Sequence, residues 1–397
     1  MSVGWNLARL VSPSSEATFL KLYWDSEWWI LHREEEDYYS SLLTVRDLDE
    51  ILSTTGLRPP ALRLVRNGED IPTSRLATDS PIPASPSLDV LYEELRAGAT
   101  VGLNFLQERH ARLAALCRSL AESLACVAQV NAYITPPASI GLRPHYDDHD
   151  VFVLQIMGRK RWKVYRGGPV RPLRGQPFRP DTDCSYEVDE ELELQPGDLL
   201  YLPRGTLHSA EGLDLMSVHL TVGVSTMTWA DVVLQEVERV ILSEPAFRAS
   251  LPVDITKRDA SDAASTLRLK VERLVSLIEV DGATRRTLRQ IDAAGRDELS
   301  GQLVDLGRLD QLGPKTRCAL RSGCRIDARQ SDLVVRRNGK EVHLPLGTIE
   351  ALRYAQQTPD FLIQDLPGLE DEDSRIVFVR RLVEEGIVKL ANSGRRC

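Results

Sequence analysis

The sequence predicts an α+β protein: a barrel or sandwich of short strands flanked by helices, with a smaller module at the C-terminus. Three patterns predict it. From Gln129 to Ser225 the chain reads as short apolar strand runs separated by turn signals. On both sides of that stretch apolar residues recur at three- and four-residue steps, as on amphipathic helices. Near the end, a hairpin signal is followed by two short helical patterns.

The bulk properties set limits. At 397 residues the chain exceeds one ordinary domain. With 42% apolar and 27% charged residues it has the composition of a globular protein. A net charge of −9 argues against a broad basic surface, and so against nucleic acid as a direct substrate. No apolar run approaches the roughly 20 residues that span a bilayer. The first twenty residues lack a signal-peptide core and cleavage site. A cytoplasmic protein without membrane contact is expected. Six cysteines (Cys117, Cys126, Cys184, Cys318, Cys324 and Cys397) form no CxxC pair, and read as buried thiols of a reducing compartment rather than a zinc site.

The elements follow in order. Residues 1–95 form an N-terminal α/β extension. It holds a helix around Asp47-Leu-Asp-Glu-Ile-Leu, a strand from Leu62 turning at Asn67-Gly68, and a proline-rich connector over 79–88. A long helical pattern is expected from Asn104 to Val130, with Leu106, Leu113, Leu116, Leu120 and Leu124 on its stripe. The strands then run from Gln129, through Val151–Ile156 and the hairpin into Arg161–Tyr165, to Leu199–Leu202 and Ser217–Val222. Residues 96–245 thus make the barrel domain. A helical region over 246–312 includes a helix at 261–280, with Leu267, Val271, Leu274 and Ile278 on one stripe, and another at 284–294. Residues 313–397 carry the hairpin across Asn338-Gly339 and helices at 348–357 and 374–385, which resembles a winged helix.

A metal site is expected at His145-Tyr146-Asp147. On an extended segment, residues two apart project to the same side, so this pair can converge on one ion. The motif alone is weak: with seven histidines and 58 acidic residues in 397, about one His-x-Asp/Glu arises by chance. A second one exists, His32-Arg33-Glu34, which opens an acidic run and reads as a solvated charged face. Context favours His145. Downstream stands Pro196-Gly-Asp-Leu-Leu-Tyr-Leu-Pro203-Arg-Gly-Thr-Leu-His208, a turn and a buried strand that deliver a second histidine in a cupin-type signature. Two imidazoles and one carboxylate make the facial triad of non-haem Fe(II) oxygenases.

The segment His145-Tyr-Asp-Asp-His-Asp-Val-Phe-Val-Leu-Gln-Ile-Met-Gly-Arg-Lys160-Arg-Trp-Lys-Val-Tyr165 resembles the ribosomal oxygenases, JmjC-type cupin proteins that hydroxylate histidine or arginine side chains of ribosomal proteins. Leu200–Glu211 and Val218-His-Leu-Thr221 extend the resemblance, which is strong over residues 95–225 and architectural beyond. It implies a double-stranded β-helix, the cupin/JmjC barrel, followed by a helical dimerisation region and a winged helix, in a homodimer. It makes His145, Asp147 and His208 the iron ligands. Lys160 becomes the partner of the distal 2-oxoglutarate carboxylate, and alternation along its strand gives it the apolar company of Trp162 and Val164. Asn131 and Thr221 fall near the co-substrate, and Tyr133 on the substrate side. Position 149 departs from the family, which has a small or aliphatic residue where this chain has His149. That histidine reads as a surface or second-sphere group, and His219 as a core or second-sphere group.

The implied activity is Fe(II)- and 2-oxoglutarate-dependent hydroxylation of a protein side chain, with O2 as co-substrate and a ribosomal protein as partner. Three alternatives keep the iron site but change the target: a peptide natural product, a small metabolite or a methyl-lysine. A further one is a non-catalytic metabolite-binding regulator.

Overall fold

The computed structural model describes residues 4–391 apart from 77–85, 180–185, 254, 258, 294–298, 322, 330 and 338–339. The chain forms two compact units, 1–226 and 227–397.

In the first unit the helices are α1 (Leu7–Val11), α2 (Glu16–Leu22), α3 (Val45–Thr54), α4 (Leu88–Arg96) and α5 (Ala111–Leu124). The strands are β1 (Trp29–Leu31), β2 (Leu62–Arg66), β3 (Glu69–Ile71), β4 (Thr100–Leu103), β5 (Cys126–Thr135), β6 (Asp150–Met157), β7 (Lys160–Tyr165), β8 (Val188–Leu194), β9 (Leu199–Leu202), β10 (Leu207–Gly212) and β11 (Ser217–Thr226). An eight-stranded sheet has the order β1-β9-β6-β11-β5-β4-β2-β3, and a three-stranded sheet the order β10-β7-β8. Every pairing is antiparallel.

Alternation along the central strands builds the layers. Phe152 and Leu154 of β6, with Val218, Leu220, Val222 and Val224 of β11, pack with the helices in the larger core. Their neighbours Val151 and Val153 point the other way and pack on Trp162, Val164 and Leu194 of the small sheet. The cavity described below lies between the sheets.

The N-terminal extension is an integral part of the large sheet. β2 pairs with β4, β4 with β5, and β1 with β9. The Asn67-Gly68 turn forms as expected, both residues having positive φ (53° and 78°), the requirement of a tight two-residue hairpin. α3 begins at a capping box in which Thr44 and Asp47 satisfy each other's backbone N–H groups. Of the proline-rich connector, 79–85 lies outside the described residues.

Two expectations are corrected. The helix expected over 104–130 is α5 alone. Residues 100–103 belong to β4, Phe105 and Ala125 adopt left-handed φ (59° and 49°), and β5 begins at Cys126. Of the expected leucine stripe, Leu113, Leu116 and Leu120 are fully buried on α5, Leu124 at its end is partly buried, and Leu106 is buried from a 3-10 turn that precedes the helix. The second correction concerns His32-Arg33-Glu34. Strand β1 precedes it directly, and Arg33 is buried, with Glu34, Glu35, Glu36 and Asp37 exposed. Gly197, in the Pro-Gly-Asp turn, has φ +94° and lies so near the Glu35 carbonyl that a Cβ would sit 2.3 Å from it. That turn therefore clamps the N-terminal segment as well as starting β9.

The second unit contains α6 (Trp229–Ser243), α7 (Ala260–Leu277), α8 (Val280–Ala293) and α9 (Gln302–Leu306). Ile278 is extended, which ends α7 three residues before the expected boundary and lets α8 start at Val280. Glu236 of α6 is buried and accepts from Arg239 and from Arg286 of α8, locking those helices. Beyond them come β12 (Arg317–Leu320), β13 (Arg325–Ala328), β14 (Leu333–Arg337), β15 (Lys340–Leu344), α10 (Ile349–Gln357), β16 (Phe361–Leu362), α11 (Glu372–Glu384) and β17 (Val388–Leu390). They make two three-stranded sheets, β16-β12-β17 and β13-β14-β15, around an apolar core of their own. The expected hairpin is β14–β15, and its turn residues 338 and 339 lie outside the described residues.

Cys117, Cys126, Cys318 and Cys324 are free thiols, the first three buried. Burial pushes Cys126 and Cys318 up to about 12 and Cys324 to about 11, so they are inert. Cys184 and Cys397 lie outside the described residues. Among the described residues, no helix is long and apolar enough to cross a membrane.

Candidate metal centre

His145 and His208 approach each other through a single antiparallel rung. The His145 N–H donates to the His208 carbonyl at 3.0 Å, and the His208 N–H to the His145 carbonyl at 2.8 Å. The rung sets the two rings 4.4 Å apart between centroids. Each Nδ1 faces a backbone carbonyl, that of Arg143 at 2.8 Å and that of Thr206 at 2.9 Å. A carbonyl can only accept, so each Nδ1 carries the ring proton and each Nε2 presents a lone pair. Carbonyl partners of this kind orient metal-binding imidazoles.

Asp147 completes the cluster. Its carbonyl accepts from the Gly205 N–H at 2.9 Å, which ties the ligand loop to the turn before β10. Its carboxylate oxygen lies 3.8 Å from His208 Nε2. One donor atom from each of His145, Asp147 and His208 falls within 4.8 Å of the others, and this is the one such group of three among the described residues. Burial opposes ionisation of Asp147, but His208 and His145 outweigh it and hold the carboxyl below its usual range. Burial, reinforced by His145, lowers His208 to about 4, so its ring is neutral and free to ligate. Two neutral imidazoles and one carboxylate are a donor set suited to Fe(II), with further positions open.

All seven residues singled out from the sequence line one cavity: His145, Asp147, His208, Lys160, Asn131, Tyr133 and Thr221. Asn131 and Thr221 are opposite each other in the β5–β11 register. The Asn131 side-chain oxygen accepts from the N–H of Phe105 at 3.1 Å. Tyr133 stacks on His219, with centroids 5.2 Å apart and 14° between the rings, and burial pushes its hydroxyl up to about 12. Lys160 is 2% exposed and donates to Thr135 Oγ1 at 2.8 Å. Burial brings its ammonium down to about 7. On its strand the other face carries Arg159, Arg161 and Lys163, which pair with Glu193, Glu211 and Glu191.

In the cavity and just behind it lie residues that sequence reasoning passed over. Thr135, buried behind the cavity against Lys160, lies two beyond Tyr133 on the same face of β5, a signal that alternation could have supplied. Trp162 was noted only as company for Lys160. It lies between the His208 and His219 rings, and its indole N–H is buried without a partner. Arg63 and Thr100 enter through the β2–β4–β5 pairings and had no local signal. His149 lines the cavity too, with Nδ1 3.1 Å from Asp148 and its ring against Gly223, outside the three-donor cluster. His219 is buried and borders Lys160.

The JmjC-domain profile matches residues 103–232, which carry this cavity. The Dictyostelium discoideum bifunctional lysine-specific demethylase and histidyl-hydroxylase NO66 is 26% identical over 436 residues, covering 96% of this chain and 82% of that protein. Human ribosomal oxygenase 1 is 33% identical over 260 residues, covering 62% of this chain and 39% of the relative. This chain spans 62% of the length of the Drosophila persimilis NO66 protein. Among solved structures, the Escherichia coli ribosomal oxygenase YcfD aligns over 98% of this chain and all of its own, with a TM-score of 0.55 and 17% identity. YcfD in complex with cobalt and 2-oxoglutarate aligns with a TM-score of 0.54 at 18% identity, over 95% of this chain and 98% of its own. Those likenesses identify residues 103–232 as a JmjC domain on a double-stranded β-helix, and the chain is similar over most of its length to the ribosomal oxygenases.

Proposed function

We propose that this protein is an Fe(II)- and 2-oxoglutarate-dependent oxygenase that hydroxylates a protein side chain, a histidine or arginine of a ribosomal protein. The observation that carries this reading is Lys160, a buried cation that shares a cavity with the three-donor cluster and, among the described residues, pairs with no carboxylate. A buried ammonium without a counter-charge is costly, and a ligand carboxylate would relieve that cost. The names of the relatives, ribosomal oxygenase and histidyl-hydroxylase, support the reaction and the substrate class. The cobalt and 2-oxoglutarate bound by YcfD support the cofactors.

His145 and His208 would hold the iron through Nε2, and Asp147 through its carboxylate. Lys160 would take the far carboxylate of 2-oxoglutarate, with Asn131 and Thr221 flanking the co-substrate and Tyr133 on the substrate side. Bound iron with 2-oxoglutarate and O2 supplies an oxidant able to attack an unactivated C–H bond, with release of succinate and CO2. The chain's own part is placement and exclusion. The carbonyls of Arg143 and Thr206 hold the proton of each neutral ring on Nδ1, so that Nε2 is the atom offered to the metal, and Val151, Val153 and Trp162 wall the cavity against water. Tyr133 stays a neutral phenol throughout the physiological range.

The test is succinate release from purified protein supplied with Fe(II), 2-oxoglutarate, O2 and a ribosomal-protein pool, together with a +16 mass shift on one of its members. His145→Ala should abolish both. Succinate release that persists in this variant contradicts the assignment.

The second unit supports two accessory roles. Leu234, Leu242, Leu267, Leu269 and Leu288 on α6, α7 and α8 are more than half exposed, an apolar surface that a homodimer would cover. Light scattering should give twice the chain mass, and a monomer would refute it. β13–β15 with α10 and α11 support a winged-helix-like module. The free thiols fit a cytoplasmic location.

A further inference from the structure

We propose that His219 is the positioning residue of the anion site, a neutral acceptor that holds the Lys160 ammonium without neutralising it, so that its charge remains available to a ligand carboxylate. This rests on the functional reading above. The geometry begins with the three ammonium protons. One goes to Thr135 Oγ1 at 2.8 Å and a second to His219 Nδ1 at 3.4 Å. An ammonium can only donate, so Nδ1 accepts and the neutral imidazole carries its proton on Nε2. Thr135 also accepts from Thr100 at 3.3 Å, which fixes the hydroxyl from behind. Both partners of Lys160 are therefore uncharged, and its third proton has no partner among the described residues.

The ring is held in place from two sides. Tyr133 stacks on one face at 5.2 Å, and Trp162 meets it edge-on at 5.3 Å and 85°. Burial, then Lys160, then His208 keep its pKa well below the usual value, consistent with the neutral form. The charged groups that share the cavity are accounted for elsewhere: Asp147 belongs to the metal cluster, and Arg63 is paired with Asp70 at 2.6 Å. A carboxylate at position 219 would form a closed ion pair with Lys160 and remove the anion site. An amide would preserve the acceptor, because Asn places its oxygen near where Nδ1 sits.

His219→Asp and His219→Asn differ in charge and hardly in shape, so the pair separates electrostatics from packing. Binding of 2-oxoglutarate is measured by calorimetry on the full chain loaded with Co(II), and Co(II) binding by its visible spectrum. The expected results are Co(II) binding retained in both variants, 2-oxoglutarate affinity reduced at least about 30-fold in His219→Asp, and affinity within about threefold of the parent in His219→Asn. Equal affinities in the two variants overturn the inference and leave the oxygenase reading intact. A parent protein that takes cobalt but not 2-oxoglutarate removes both. Nitrogen NMR of the histidine-labelled parent provides a second measurement independent of variant folding. A neutral Nε2–H ring at His219 is expected, and an Nδ1–H tautomer or an imidazolium contradicts the inference.

Discussion

Among the described residues of the first unit two cations are buried, Arg33 and Lys160, and each stands near a His-x-acid motif. Their surroundings differ in kind. All five guanidinium N–H donors of Arg33 are used: Nε to Ser12 O, Nη1 to Tyr39 and Gly197 O, and Nη2 to Leu10 O and Ser12 O. Its backbone N–H donates to Asp198, which also meets Nδ1 of His32 at 2.8 Å, while Glu34 is exposed. Among the described residues Lys160 has a hydroxyl and an imidazole for three protons. A buried cation with every donor satisfied locks a structure together, and one with a donor left over marks a place for a ligand. The same contrast separates the motifs: His32 is spent on Asp198, whereas His145 and His208 spend only Nδ1 and keep Nε2 free.

The largest effect should come from the metal side. Asp147→Ala should lower succinate production by about 10⁴-fold or more, as expected where a metal ligand is lost from a catalytic site, and metal analysis should show the ion missing. Full metal content in that variant would break the parallel between free donors and function. Lys160→Met comes next. It should weaken 2-oxoglutarate binding by about 10³-fold, and it should also stabilise the ligand-free protein by about 1–4 kcal/mol in urea unfolding, because an uncompensated buried charge is replaced by an apolar side chain. Arg33→Met should do the reverse, costing about 3 kcal/mol of stability and leaving 2-oxoglutarate affinity unchanged in the folded protein. If both variants shifted stability in the same direction, the distinction between the two cations would fail.

The smallest effect is in pH. Lys160 in the free protein titrates at about 7, and the charged form is the one that binds a carboxylate. Affinity should level off well below that value and fall about fivefold from pH 7 to pH 8, the ammonium fraction dropping from about one half to about one in eleven. Calorimetry across pH reads this directly. A flat profile would mean that Lys160 stays charged when the site is empty.

The difference between these regions also explains what could be read in the sequence. Lys160, Asn131 and Tyr133 were legible through the family resemblance, and the alternation of β5 and β7 supports them by placing residues two apart on one face. Arg33 was not legible. Its partners are mostly carbonyls from residues 10, 12 and 197, brought together by tertiary folding, and the adjacent acidic run made it look like surface. The end of α5 was missed for a local reason: Ala125 takes the left-handed conformation without the glycine that would announce it. Arg63 and Thr100 reach the cavity only through pairings across the sheet, which no local periodicity encodes.

The most direct test is spectroscopic. Fe(II) and 2-oxoglutarate are added without oxygen, and the visible metal-to-ligand absorption band that requires both on one centre is followed. The band should form in the parent protein, disappear in His208→Ala, and require far more 2-oxoglutarate in Lys160→Met. A parent protein that binds Fe(II) but gives no band, or a band unaffected by His208→Ala, would contradict the account.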